Sequence, residues 1–244
     1  MKYDQSHIDQ IKKCPHWRIR IHPNTYEEEQ IPSLGRCWDI MERRRLLLRG
    51  WDYPHVDNND VGRDNGPNWI ASGSDWGAHN EYWRFYQSGQ FIHYLQLYES
   101  SRPDFRAEAV KQADRLHSDG IDPRDIQGSV NIVWLLHTLT EVFAFVNGLV
   151  SEDIYSEQVI FDIKLVNISN FILTTGPDRA WWQLFRCTQN ELEKTWTYPT
   201  EQLQSEYLRC AMNSIVWFLE RFGWVEPNIE QLERDQYKLI RREL

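Results

Sequence analysis

Cysteine is scarce in this chain, with four among 244 residues. Cys14, Cys37, Cys187 and Cys210 are scattered and form no C-x-x-C pair. That excludes a disulfide framework, and the thiols read as free groups in a reducing cytosol. Positive charge is in the minority, with 27 Lys and Arg against 36 Asp and Glu and a net charge of -9. Affinity for nucleic acid in general comes from neutralising phosphates, so a nucleic-acid-coating role is excluded. The opening MKYDQSHIDQIKK has no apolar segment, so no secretory signal is expected there.

Long apolar runs are also rare. The one stretch long enough to span a bilayer is SVNIVWLLHTLTEVFAFVNGLV, residues 129 to 150. It carries His137 and Glu141 with Asn131 and Asn147, and an acidic side chain near a membrane midplane costs about 2.5 kcal/mol or more. The expectation is a buried central helix of a cytoplasmic protein, with no membrane partner.

Motifs for common chemistries are missing. There is no H-E-x-x-H, G-x-S-x-G, Walker A loop or G-x-G-x-x-G, so no cofactor is expected. DNNDVG places Asp57, Asn59 and Gly62 as a calcium loop would. Val61 and Asn68 then occupy the fifth and twelfth positions, where ligands are required. His79-x-Glu81 matches half of the zinc-deaminase pattern, but no P-C-x-x-C follows. No metal site is expected either.

Tryptophan is abundant, with 12 Trp against 3 Met. Such a core is built from rigid rings, each wanting a partner for its indole N–H. A polar helix before Pro15 and the strand HWRIRIHP, residues 16 to 23, open the chain. A helix follows from Ser33, with Leu34, Cys37, Trp38 and Met41 at helical spacing and Arg43, Arg44 and Arg45 in its last turn. Strands are expected at 46 to 51, near NWIAS and at 90 to 98, with a helix from Asp75 through WGAHNEYWRFYQS to Gly89. Beyond a boundary at Ser101 to Pro103, helices are expected at 104 to 117, closed by Gly120, and at 124 to 150. VIFDIKLVNISNFILTT reads as one bent strand or two meeting at Asn167 to Asn170. A turn at Gly176 to Asp178 leads into AWWQLFRC as strand or short helix. Helices near 200 to 222 and 228 to 242 finish the chain. The expected class is α+β. A small, mainly antiparallel sheet with packed helices fills residues 1 to 100. A helix-rich half, 101 to 244, is built on the long buried helix, and the two form one compact unit.

HWRIRIHP places Trp17, Ile19 and Ile21 on one strand face and His16, Arg18, Arg20 and His22 on the other. Arg49 and His55, in the following LLLRGWDYPH, can join that basic face. Guanidiniums beside imidazoles suit a carboxylate or phosphate, so these six residues form a candidate surface for a partner or an anionic ligand. Ordinary pairing with Glu27 to Glu29, Asp39, Glu42 or Asp52 is the structural alternative. A catalytic alternative is D-x-K at Asp162 and Lys164, which share a strand face. With Asp104 of Pro103-Asp104 upstream, they resemble the PD-(D/E)xK nuclease pattern, in which carboxylates hold a divalent metal.

The series WRIRIHP, LLLRGWDYPH and EYWRFYQSGQFIHY is similar to a segment of prokaryotic proteins in which an AlbA-type nucleic-acid-binding module sometimes accompanies it. The resemblance covers residues 16 to 98, and this chain shows no such module. It implies a cytosolic prokaryotic protein working beside nucleic-acid or antiviral defence machinery. The resulting expectation is a non-catalytic binding or regulatory subunit, with a protein partner or as a homo-oligomer. A sensor of a small phosphate-bearing ligand and a metal-dependent nuclease are the alternatives.

Overall fold

The computed structural model describes residues 5–57, 62–77, 79–116, 121–175 and 183–243. In chain order the elements are α1 (Gln5–Lys13), β1 (His16–Pro23), α2 (Leu34–Arg44), β2 (Leu46–Leu47), β3 (Asp52–Tyr53), β4 (Arg63–Asn65), β5 (Trp69–Asp75), β6 (Asn80–Tyr86) and β7 (Phe91–Gln96). They continue with α3 (Pro103–Leu116), β8 (Gly128–Asn131), α4 (Ile132–Val150), β9 (Gln158–Val166), β10 (Phe171–Thr174), β11 (Arg186–Cys187), β12 (Glu191–Pro199), α5 (Thr200–Arg221) and α6 (Ile229–Arg241).

The class is α+β. Seven strands form one sheet in the order β12-β9-β1-β7-β6-β5-β4, and every neighbouring pair is antiparallel. The alternation of HWRIRIHP explains why β1 sits inside it, with Trp17, Ile19 and Ile21 buried on the core face. The sheet crosses the midpoint of the chain, because β9 and β12 pair beyond β1. One apolar core joins residues from both halves. α4 lies against its inner face, where Phe143 stacks on Phe161 at 4.4 Å and Phe145 meets Phe91 at 5.0 Å. Trp17 meets Phe218 of α5 edge-on at 5.0 Å.

Several elements differ from expectation. The helix expected from Asp75 to Gly89 is a hairpin of β5 and β6, in register from Trp69–Tyr86 to Asp75–Asn80. Tyr82, Trp83, Phe85 and Tyr86 favour a pleated surface, and pairing on both sides of β6 overrides their helix-compatible spacing. Gly89 ends no helix but takes φ +78° in the turn to β7, where Tyr86 N–H bonds Gln90 O at 2.9 Å. The strand expected at 46 to 51 shrinks to the two residues of β2.

The long helix begins at Ile132, not 124. Gly128 lies so close to the Phe171 ring that a β-carbon would sit 2.5 Å from it, and β8 pairs in parallel with β10 there. The Asn131 side chain caps α4 by accepting from Val133 N and Trp134 N. VIFDIKLVNISNFILTT resolves into β9 and β10, which belong to different sheets. β12 was not anticipated, although ELEKTWTYP alternates with Leu192, Trp196 and Tyr198 inward. Gly120, the turn at Gly176 to Asp178, the AWW of AWWQLFRC and most of DNNDVG lie outside the described residues.

α4 is long and apolar enough to cross a membrane by length and composition alone, and here it is mostly buried within the protein.

Candidate functional site

The outer face of β1 carries His16, Arg18, Arg20 and His22, and it carries their counter-charges as well. Arg18 pairs with Glu193 of β12 at 2.6 Å, and Arg20 with Asp162 of β9 at 2.6 Å. His22 Nε2 lies 3.5 Å from the same Asp162 oxygen. His16 is buried and its Nδ1 donates to Cys14 O at 2.8 Å, while burial lowers its pKa. Lys164 bridges Glu191 at 2.8 Å and Glu193 at 3.2 Å. The cations Arg18, Arg20 and Lys164 are thus paired with Asp162, Glu191 and Glu193.

Both Asp162 oxygens are engaged, Oδ1 by the Thr195 hydroxyl at 2.6 Å and Oδ2 by Arg20 Nε at 2.8 Å. Asp104 stands at the start of α3 and pairs with Arg102 at 3.2 Å. Asp104 and Asp162 therefore have separate partners on separate elements. Among the described residues no group of three or more His, Cys, Asp or Glu side chains is placed to hold a metal ion. Arg18 and Glu193 are both well exposed, so Arg18→Ala is expected to cost at most about 1 kcal/mol. Urea unfolding of that variant measures the loss.

Arg49 and His55 lie elsewhere, on the segment around β3, and lead to the inner face of the sheet. β6 directs Glu81, Trp83 and Phe85 inward, and Glu81 is fully buried. Its Oε1 accepts from His79 Nε2 at 2.9 Å and from His55 N–H at 3.2 Å, and its Oε2 accepts from His93 Nε2 at 2.6 Å. Burial alone would lift this carboxyl. The imidazoles of His79 and His93 outweigh burial and hold it well below the usual carboxylate range. An ionised Glu81 only accepts, so both rings donate to it from Nε2. His93 Nδ1 lies 3.3 Å from the Tyr53 hydroxyl, which donates to it when the ring is neutral. When the His79 ring is neutral, its lone pair is on Nδ1.

His55 forms a second dyad, with Nδ1 bonded to Asp52 Oδ1 at 2.6 Å. Burial pulls the His55 pKa down, but the Asp52 bond and charge raise it overall. Asp52 Oδ2 accepts from Val56 N–H at 3.0 Å and from Arg45 at 3.1 Å. The exposed Trp76 ring meets His55 at 4.5 Å and His79 at 5.8 Å.

Arg49 donates from Nε to Glu141 Oε1 at 3.1 Å and from a terminal nitrogen to Oε2. Its guanidinium also lies over Trp51 at 5.2 Å and Trp134 at 5.8 Å. Glu141 comes from the middle of α4 and is fully buried, so this pair ties the β2–β3 segment to the spine of the molecule.

Between these groups a small cleft opens, lined among others by Arg49, Trp51, His79, Glu99, Trp134 and Thr138. Its cavity volume is about 30 Å³, room for one or two water molecules. Glu99 sits in the 3-10 turn Tyr98–Ser101, is 5% exposed, and accepts from Asn131 N–H at 2.5 Å. Burial pushes its carboxyl up to about 7, against an ordinary 4.5. The Trp51 indole nitrogen is buried and has no hydrogen-bond partner among the described residues. Tyr98 stacks on Trp134 at 4.2 Å to complete the wall.

Of the residues singled out from sequence, the structure groups His16, Arg18, Arg20, His22, Asp162 and Lys164 on the outer sheet face. Arg49 lines the cleft, and His55 bonds Glu81 and Asp52. Trp51, Glu99 and Trp134 gave no sequence signal, because nothing local distinguishes a ring that lines a cleft from one in a core. His79 and Glu81 were visible as half of a zinc motif, and β6 read as a strand would have placed Glu81 among core residues. Comparison with protein family models, with curated proteins and with solved structures finds no match for this chain.

Proposed function

We propose that this chain binds a very small, uncharged, hydrogen-bonding molecule, about the size of one or two waters, in the cleft at Trp51, His79, Glu99 and Trp134. Its setting is that of a sensing or regulatory subunit in a prokaryotic cytosolic complex, as the resemblance of residues 16 to 98 implies. The observation that carries the reading is Trp51, which lines the cleft and whose buried indole N–H has no acceptor among the described residues. An orphaned buried donor costs about 1–3 kcal/mol, which a ligand oxygen at that point recovers. Glu99 adds a carboxyl that both donates and accepts near neutral pH.

Charge selects the ligand class. Glu99 lines the cleft, Glu81 stands behind its lining residue His79, and the guanidinium of Arg49 in the lining is held by Glu141. Among the described residues a phosphate would meet no unpaired guanidinium or ammonium in the lining, whereas a neutral molecule with a carbonyl or hydroxyl would suit an indole donor. Trp134 and Thr138 belong to α4, which packs on α5 and α6, so occupancy would be conveyed through the core helix.

Native mass spectrometry of protein purified from its own source tests the reading. A small adduct should accompany the wild type. Thr138→Met, which fills the cleft from α4, should remove it while leaving the fold intact by circular dichroism. An adduct retained in full by the folded variant would place the ligand elsewhere, and a bare wild-type mass would count against binding.

A further inference from the structure

Three guanidiniums of α2 converge on one carboxylate. Arg36 and Arg43 each donate from Nη2 to Glu152 Oε2 at 2.8 Å, and Arg44 donates from Nε to Oε1 at 2.7 Å. Glu152 follows the last turn of α4, so these bonds tie α2 to the end of the core helix. A single arginine would make that tie. Among the described residues no other carboxylate is shared even by two guanidiniums. Here three share one, and two positive charges are left without a paired carboxylate.

The cluster faces solvent. The Glu152 side chain is 6% exposed, against 39%, 48% and 34% for Arg36, Arg43 and Arg44. Among the described residues each guanidinium makes one hydrogen bond to protein, so most of its five N–H groups remain for another acceptor. Packing also fixes the Arg44 stem. It lies against Gly148 of α4, where a β-carbon would come 3.3 Å from Arg44 Cδ, so a glycine within that helix makes room for it.

Guanidiniums already gathered around one carboxylate are pre-organised for a second anion with several oxygens. A phosphate monoester brings three acceptor oxygens and close to two negative charges at neutral pH. The surroundings limit its size. Asp39 lies three residues from Arg36 and four from Arg43 on the same helix face, is exposed, and pairs with neither. Glu42 and Asp153, beside Arg43 and Glu152 in sequence, are exposed as well. These carboxylates and the net charge of -9 repel a polyanion such as nucleic acid or an anionic membrane, whereas a single phosphate needs only the guanidiniums. We propose that Arg36, Arg43 and Arg44 form a surface site for the dianionic phosphate group of a soluble small molecule, with Glu152 holding the three guanidiniums together. None of these four residues lines the cleft, so the site stands independently of the binding reading above.

Phenyl phosphate is the probe, titrated at constant ionic strength while the arginine Nε–H resonances are read in a nitrogen-15 spectrum. Those of Arg36, Arg43 and Arg44 should shift together and saturate, and sodium chloride at the same ionic strength should not reproduce the shift. Binding should strengthen from about pH 5 to pH 7, as the phosphate passes its second pKa of about 6. Arg43→Gln changes a half-exposed side chain and should weaken the affinity about tenfold, with the fold intact by circular dichroism. Glu152→Gln removes the competing negative charge and should tighten binding. Vesicles containing phosphatidylserine should not sediment the protein. Absence of a saturable shift in the wild type overturns the proposal, and so does a shift that chloride matches. An affinity left unchanged by Arg43→Gln puts the phosphate elsewhere and overturns it too. Vesicle binding that Arg43→Gln abolishes would assign the cluster to a membrane surface instead.

Discussion

Arg49→Met should destabilise the protein by about 3–5 kcal/mol, the largest loss expected from any single change outside the apolar core. The reason is the carboxylate it leaves behind. Glu141 is fully buried in the middle of α4, and both its oxygens are bonded by Arg49. Methionine fills most of the space but offers no charge, so Glu141 must either stay ionised in the core or take up a proton. Burial already pushes its carboxyl upward, with Arg49 opposing. The loss should therefore be greatest at alkaline pH and shrink as the medium becomes acidic enough to protonate Glu141. Arg49→Met combined with Glu141→Leu should recover most of the stability, because no lone charge remains. Urea unfolding across pH measures all three proteins. A single variant as stable as the wild type at pH 8 would mean that the ion pair contributes nothing.

Glu99→Gln is expected to stabilise the protein at pH 8 by roughly 3 kcal/mol and to have little effect near pH 4. The folded carboxyl titrates at about 7 against an ordinary 4.5, with burial as the main cause. Between those values the folded protein holds a proton that the unfolded chain has lost. Wild-type stability therefore falls as pH rises through that window, and levels off above it. Glutamine cannot ionise and keeps an oxygen for the Asn131 N–H, so the variant escapes that loss. Thermal melting from pH 4 to 8 should show the two proteins together at the acid end and diverging above pH 5. Parallel curves would show that Glu99 titrates normally. A residue whose replacement stabilises the fold is one the fold does not require, which fits a group kept for a ligand.

How far the sequence disclosed this structure depended on where each burial decision is made. β1 was legible because strict alternation is a local property, and so was α4, whose apolar residues run around most of its circumference. Polar residues within that helix were legible only as a cost. His137 and Glu141 argued against a membrane, but the partner that pays for burying Glu141 is Arg49, 92 residues away. β6 failed for a similar reason. Its aromatic residues suit helix and strand alike, and the choice was made by pairing to β5 and β7. The Arg18 and Arg20 face was visible, while the acidic side chains that neutralise it came from β9 and from the unanticipated β12. The cleft draws on five separate parts of the chain, around residues 17, 50, 79, 98 and 134, and no local pattern reports such a convergence.

The proposed role of the cleft is tested most directly by a crystal structure of protein taken from its own source without denaturation. The account predicts density for a small non-water molecule in the cleft, with an oxygen within hydrogen-bond distance of Trp51 Nε1 and of the Glu99 carboxyl. A cleft that holds only water, or one closed by a shift of the Trp51 ring onto a protein acceptor, would contradict it.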